Sequence, residues 1–508
     1  MKSNQLKAGV YLSYISLFTS NITNLVLTPF IIKNLGQSEY GLYMLIGALV
    51  GYIAILDFGL GNTTVRFVAK YRAENDKSGQ ENFLFITSVI YGIISIIVII
   101  IGSILYLNLD NIFQSSLTIR EIEIAKVMFI ILVINLAFTL PLNSYKGIIT
   151  AYEQFIFPKV LSIVRILVRA AAILLLLLLG YKAIAIVLVD AILNFIMLMI
   201  YTLYVYKKLN VRVRCHNFNK DIIKEIFSYT SLIFISVVVD QFYWRIGHLI
   251  LGLVASTSSV AIFAIGMTFG QYFITFSTAI SGVFLPKITK MVVNNSSNKE
   301  MTDLFIKTGR IQFLVLGLIL GGFTLFGEKF IFLWAGPGYE VSWKIAMMVM
   351  IPLFIVLCQT IGISILQAKN MHGFRAYSYL FISLLNIIIS FFMAKVYGAV
   401  GAALGTTLSL ILGNIIIMNL YYNFKVKLNM VRFYKELFKG LLLSFLLSLL
   451  LGLLLKIFLP ISTWSILFLQ FVIYMIIYIT VFWLIGMNNY EKALFSKELN
   501  KFKKVFFN

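Results

Sequence analysis

Charge, cysteine and histidine are all scarce in this sequence. Asp, Glu, Lys and Arg make up 12% of the 508 residues, against roughly 25% in an ordinary soluble domain. A soluble chain of this length would divide into domains joined by polar linkers, and no such linker is visible. Two cysteines, Cys215 and Cys358, exclude a disulfide framework. The first falls in a loop expected on the cytoplasmic side and the second inside an apolar run, so no disulfide is expected. The three histidines and the few acids show no ligand or catalytic spacing, so no metal and no cofactor is expected. A G-x-x-x-x-G-K-[ST] loop is missing, as is any polar block large enough for a nucleotide-binding domain.

What is present is apolar. Hydrophobic residues make up 60% of the chain and the mean hydropathy is +0.94. They fall into blocks of roughly 20, the length that a bilayer core requires of a helix. Runs such as Gly440–Lys456, GLLLSFLLSLLLGLLLK, do not alternate, which excludes an outer-membrane barrel. The expected fold is an all-α polytopic membrane protein with about 14 spans: 9–32, 40–62, 83–107, 122–142, 158–180, 183–205, 228–252, 259–283, 308–332, 345–367, 374–395, 399–421, 437–458 and 464–486. The start of the chain, MKSNQLKAGVYLSYISLF, continues apolar to Ile32 without a clear small-residue cleavage site and reads as a retained first span.

The net charge of +22 follows the loops. With the amino terminus placed in the cytoplasm, 31 Lys and Arg fall in inner segments and seven in outer ones: Lys33, Arg120, Lys182, Lys329, Lys344, Lys395 and Lys456. This bias is the positive-inside rule. It implies an even span count, both termini cytoplasmic and a location in the cytoplasmic (inner) membrane. It accounts for the basicity without a nucleic-acid partner, and the basic loops suit an anionic leaflet.

The spans repeat. Tyr152–Leu209 lies over Lys369–Val426, and Ser38–Leu56 over Ser258–Phe276, with shared loop punctuation. The expected organisation is an N-lobe (1–215, spans 1–6), a C-lobe in the same orientation (216–430, spans 7–12), and a terminal helix pair with a basic tail (431–508). Parallel repeats of this kind are a transporter architecture.

Four segments carry a family resemblance. LGQSEYGLYMLIGALVGYIAILDFGLGNTTVRFVAKY (Leu35–Tyr71), FLPKITKM (Phe284–Met291), FGEKFIFLWAGPGYEVSW (Phe326–Trp343) and LLNIIISFFMAKVYGAVGAALGTTLS (Leu384–Ser409) resemble the bacterial polysaccharide (oligosaccharide) flippases. These are the Wzx-type, O-antigen members of the superfamily that includes the multidrug-and-toxin exporters and the lipid II flippase. The last two spans match in hydrophobicity alone. The resemblance implies a MATE-like fold. It implies translocation of an undecaprenyl-diphosphate-linked oligosaccharide for cell-surface polysaccharide synthesis, by alternating access coupled to a proton or sodium gradient. A glycan polymerase and a ligase are the implied partners. A multidrug exporter and a peptidoglycan lipid II flippase of the same fold are the rival readings. An enzyme is not expected, because the outer loops are short and hold no catalytic cluster.

Seven charges fall inside spans: Asp57, Lys126, Arg165, Arg169, Asp190, Asp240 and Arg245. A charge at the bilayer centre costs about 2.5–3.5 kcal/mol on insertion scales, so such residues tend to face a watery cavity or a partner. Arg165 and Arg169 are four apart and share a helix face. At 1.5 Å per residue Arg165 lies roughly 10 Å deep and Arg169 roughly 16 Å. Arg165 is within snorkelling reach of the interface; Arg169 lines a cavity or pairs with a buried acid. A guanidinium fork matches phosphate oxygens, so Arg165, Arg169 and Arg245 are the candidate anion-binding residues. Asn21 and Asn24, three apart, are candidates for sugar hydroxyls, with interhelical bonding as the alternative. Asp57, Asp190 and Asp240 are the ion-coupling candidates; the competing reading is that they neutralise the arginines. Gly59 and Gly61 after Asp57 mark a helix end or a hinge. His248 reads as an interfacial residue.

Overall fold

The computed structural model describes residues 2–496 apart from 218, 219, 282, 283, 295 and 372. The basic tail from 497 onward lies outside the described residues. Helices and turns account for the described chain, with no strand among the described residues. Twelve helical stretches there are long and apolar enough to cross a membrane. Two of them, Ala8–Ala73 and Gly373–Phe424, run to 66 and 52 residues. At 1.5 Å per residue that exceeds two bilayer cores of about 30 Å. Gly36 (φ 77°) breaks the first and Gly398 (φ 55°) the second, so each divides into two helical segments. Left-handed backbone is open to glycine without the Cβ penalty that other residues meet.

The first compact unit is Met1–Ala264 with Ser390–Ala402. It contains α1 (Lys2–Ile53), a 3-10 turn (Ala54–Asp57), α2 (Leu60–Ala73), α3 (Lys77–Phe113), α4 (Ile119–Ala151), α5 (Ile156–Leu178), α6 (Ala183–Lys207), α7 (Lys220–Trp244) and α8 (Ile246–Val254), and takes in the start of α9 (Thr257–Ser281). Within it α4 packs on α6, α3 and α2, and α1 on α5 and α8. Helix starts are marked by the sequence. Thr118 and Glu121 form a capping box at α4, satisfying backbone donors that have no partner inside the helix. Asp76 caps α3 and accepts from Gly79 N–H at 2.8 Å and the Ser78 hydroxyl at 2.9 Å. These bonds hold its carboxyl below the ordinary range.

The second unit is Ile265–Ile389 with Ala403–Asn508. It holds α10 (Leu285–Val293), α11 (Asn298–Ala335), α12 (Val341–Cys358), α13 (Ile361–Ala368), most of α14 (Gly373–Ser409), a π-helical stretch (Leu410–Ile417), α15 (Met418–Phe424), α16 (Met430–Phe438), α17 (Leu441–Phe458) and α18 (Trp464–Val481). In it α11 packs on α12, α16, α17 and α18. The first unit runs to Ala264 and so takes in α7 and α8. Large apolar side chains stay exposed along the outer faces, among them Ile96, Ile99 and Ile100 of α3 and Leu443, Leu446 and Leu450 of α17. A soluble protein would not tolerate such patches; in a bilayer they meet lipid.

Candidate functional site

Within the first unit, α1 and α5 enclose a cavity of about 490 Å³ lined by Ser16, Leu17, Ser20, Thr23, Asn24, Ser162, Arg165, Ile166 and Arg169. The expected pair of arginines therefore faces one space. Ser16, Ser20, Thr23 and Asn24 recur at three- and four-residue intervals, which puts them on one face of α1. Asn21 is not among the lining residues.

The two arginines differ in their partners. Arg169 forks onto Asp190 of α6, with Nε donating to Oδ1 at 2.5 Å and Nη2 to Oδ2 at 2.9 Å. Both side chains are about a quarter exposed (24% each). The Tyr43 hydroxyl sits beside both groups. This bidentate geometry satisfies both carboxylate oxygens and fixes the guanidinium plane. Arg165 forms no ion pair among the described residues. It lies within electrostatic reach of Lys146, which also feels Lys159, so the neighbourhood of the cavity is cationic.

The other expected residues lie elsewhere. Arg245 stands at the break between α7 and α8, where its Nη1 donates to the Gly47 carbonyl at 3.3 Å. The guanidinium fills the space that a Cβ at Gly51 would need. Asp240 is exposed near the end of α7. Asp57 ends the 3-10 turn after α1, beside Tyr91 of α3. Lys126 pairs with Asp110 at 2.5 Å, tying α4 to the end of α3. His248 is buried, with 7% exposure and its ring edge-on to Phe263 at 5.1 Å.

Three polar clusters were invisible in the sequence. Asn194 of α6 donates to Asn135 Oδ1 at 3.0 Å and Thr139 Oγ1 at 2.6 Å on α4. Glu121 accepts from Ser38 of α1 and from Thr257 of α9, the latter at 2.7 Å. In the second unit Arg310 forks onto Glu491 at 2.5 and 3.1 Å and donates to the carbonyls of Glu436, Lys439 and Gly486 at 2.6, 2.9 and 3.0 Å. Arg310 and Glu491 lie near the ends of their apolar segments, where hydropathy assigns charges to loops. A buried role has no local signal there.

The fold is that of known membrane transporters. The solved structure of the lipid II flippase MurJ in its inward closed conformation superposes with a TM-score of 0.71, at 18% identity, covering 96% of this chain and 99% of that one. The long apolar helices and the charged cavity between two of them define a multi-pass membrane transporter. The family model described as "Polysaccharide biosynthesis protein" matches residues 6–292, more than half of the chain, and the protein belongs to that family. Two curated relatives agree. "Probable flippase AglR" of Haloferax volcanii is 23% identical over 404 residues, covering 78% of this chain and 79% of its own. "Putative O-antigen transporter" of Shigella flexneri is 20% identical over 423 residues, covering 80% and 96%. The names of these relatives describe a flippase and a transporter.

Proposed function

We propose that this protein moves an undecaprenyl-diphosphate-linked oligosaccharide from the inner to the outer leaflet of the cytoplasmic membrane. The driving force in this reading is an ion gradient, and the motion is alternating access of the two repeats. The observation that carries it is the cavity of the first unit. Arg165 enters it without an acidic partner among the described residues, while four hydroxyls and the Asn24 amide line the same cavity. An unpaired guanidinium beside a row of hydrogen-bonding groups is the chemistry that a diphosphate joined to a sugar would use. Arg169 then has a different part: held by Asp190, it shapes the wall and contributes little free charge.

The nearby cations Lys146 and Lys159 would raise the local concentration of an anionic headgroup. Net cationic character also disfavours the cationic drugs that an exporter of the same fold would carry.

The test is leaflet translocation of a defined lipid-linked oligosaccharide in proteoliposomes. Wild type is expected to expose the headgroup to an added probe in the opposite leaflet. Arg165→Ala is expected to lose at least tenfold in rate at equal protein and equal melting temperature. Full activity of Arg165→Ala would remove the basis of this reading.

A further inference from the structure

The turn after α1 and the facing part of α3 carry three buried side-chain oxygens, two of which, on Asp57 and Tyr91, lie beside each other. Asp57 Oδ1, the Tyr91 hydroxyl and Thr87 Oγ1 are all buried without a hydrogen-bond partner among the described residues. Thr87 and Tyr91 are 1% and 0% exposed. They are four residues apart on α3, so they share a face. The Tyr91 ring carries its hydroxyl up to the Asp57 carboxylate, which also faces the Gly59 backbone N–H. No lysine or arginine forms an ion pair with Asp57 among the described residues.

The backbone around Asp57 is built rather than frayed. The chain leaves α1 through a 3-10 turn, and Phe58 (φ 52°) and Gly59 (φ 75°) are both left-handed before α2 begins. The Phe58 ring stacks on Phe234 at 4.7 Å, and Ile233 of α7 occupies the place a Cβ on Gly59 would take. Unwound backbone at membrane depth turns carbonyls away from the helical ladder and toward a cavity or an ion.

We propose that Asp57, Tyr91 and Thr87, with carbonyls of this broken turn, bind a monovalent alkali cation of the sodium class. The oxygens are hard donors, and a single carboxylate balances a single positive charge inside an apolar medium. A divalent ion would call for further acids, and no cluster of three His, Cys, Asp or Glu occurs among the described residues. A proton is the weaker fit. Carried on Asp57, it would leave the buried Thr87 Oγ1 unsatisfied. Use of the ion to drive transport rests on the function proposed above; binding does not.

The experiment is a thermal melt of the full-length protein in nanodiscs. Sodium chloride replaces choline chloride at fixed ionic strength and pH. A ligand that binds the folded state alone raises the melting temperature in a saturable way. Wild type is expected to show such a rise with sodium and none with choline. Asp57→Asn and Tyr91→Phe are expected to shift the half-saturating sodium concentration upward by at least tenfold. Tyr91→Phe removes one hydroxyl and keeps the packing, so it decides the question if Asp57→Asn does not fold. A sodium-independent melt, or an unchanged sodium response in Tyr91→Phe, would overturn the site. A stabilisation that follows pH and ignores sodium would overturn it in favour of a proton. No glycolipid enters the assay, so its outcome and that of the translocation assay are separate.

Discussion

Arg169 of α5 and Asp190 of α6 hold each other through two parallel hydrogen bonds at 2.5 and 2.9 Å. The pair lies between two spans that are otherwise almost wholly apolar, and one wall of the cavity depends on it. Its exchange should be informative. Arg169→Asp and Asp190→Arg alone each place two like charges side by side. Each is expected to lower the melting temperature and the yield of folded protein. Combining them restores an opposite pair, and a coupling of roughly 1–3 kcal/mol is expected from the cycle. Thermal melts of the four proteins measure it. An additive result would mean that the pair carries no energy of its own.

The clamp in the second unit makes a sharper stability prediction. Arg310 and Glu491 side chains are 6% and 1% exposed, and Arg310 also meets three backbone carbonyls. Glu491→Ala leaves a buried guanidinium without its counter-charge, expected to cost about 3–5 kcal/mol. Replacing both by apolar residues, Arg310→Met with Glu491→Leu, should recover much of that loss. Melting temperature and proteolytic sensitivity report both.

Two glycines on the same helix should respond in opposite ways. A Cβ at Gly41 would run into the backbone carbonyl of Thr257, whereas a Cβ at Gly47 meets nothing within 4 Å. Gly41→Ala is therefore expected to lose about 1–3 kcal/mol through overpacking against backbone. Gly47→Ala should be neutral or gain up to about 1 kcal/mol from helix propensity. Melts of the two variants side by side decide between packing and propensity as the reason for these glycines.

Orientation can be read from the two cysteines. Cys215 is exposed in the segment between α6 and α7, and Cys358 is buried at the end of α12. A membrane-impermeant maleimide is expected to label Cys215 in inside-out vesicles and not in intact spheroplasts. Cys358 should stay unlabelled in both. Labelling of Cys215 from outside would reverse the assigned topology.

Much of the architecture was legible in the sequence because a bilayer imposes strong, local rules. A spanning helix must be long, continuous and apolar, so hydropathy alone marked α3 to α6, α11, α12, α17 and α18. The breaks at Gly36 and Gly398 were legible as well, since they fall in the short gaps between expected spans. The resemblance of Leu35–Tyr71 and three other segments pointed to the polysaccharide flippase family, to which the chain belongs.

The sequence also picked out Arg165 and Arg169 as charges on one helix face, because spacing of four on a helix is a local property. It could not say which of them is spoken for. That depends on which helix lies alongside α5, and only the tertiary structure sets Asp190 against Arg169 while leaving Arg165 facing the cavity. For the same reason Arg245 went to a carbonyl of α1, and Arg310 found Glu491 across 181 positions of sequence. The sequence by itself determined how many apolar stretches there are and where each charge sits along them. The pairing of those charges was decided by helix packing, because a buried charge is stable only opposite a partner that the chain brings from far away.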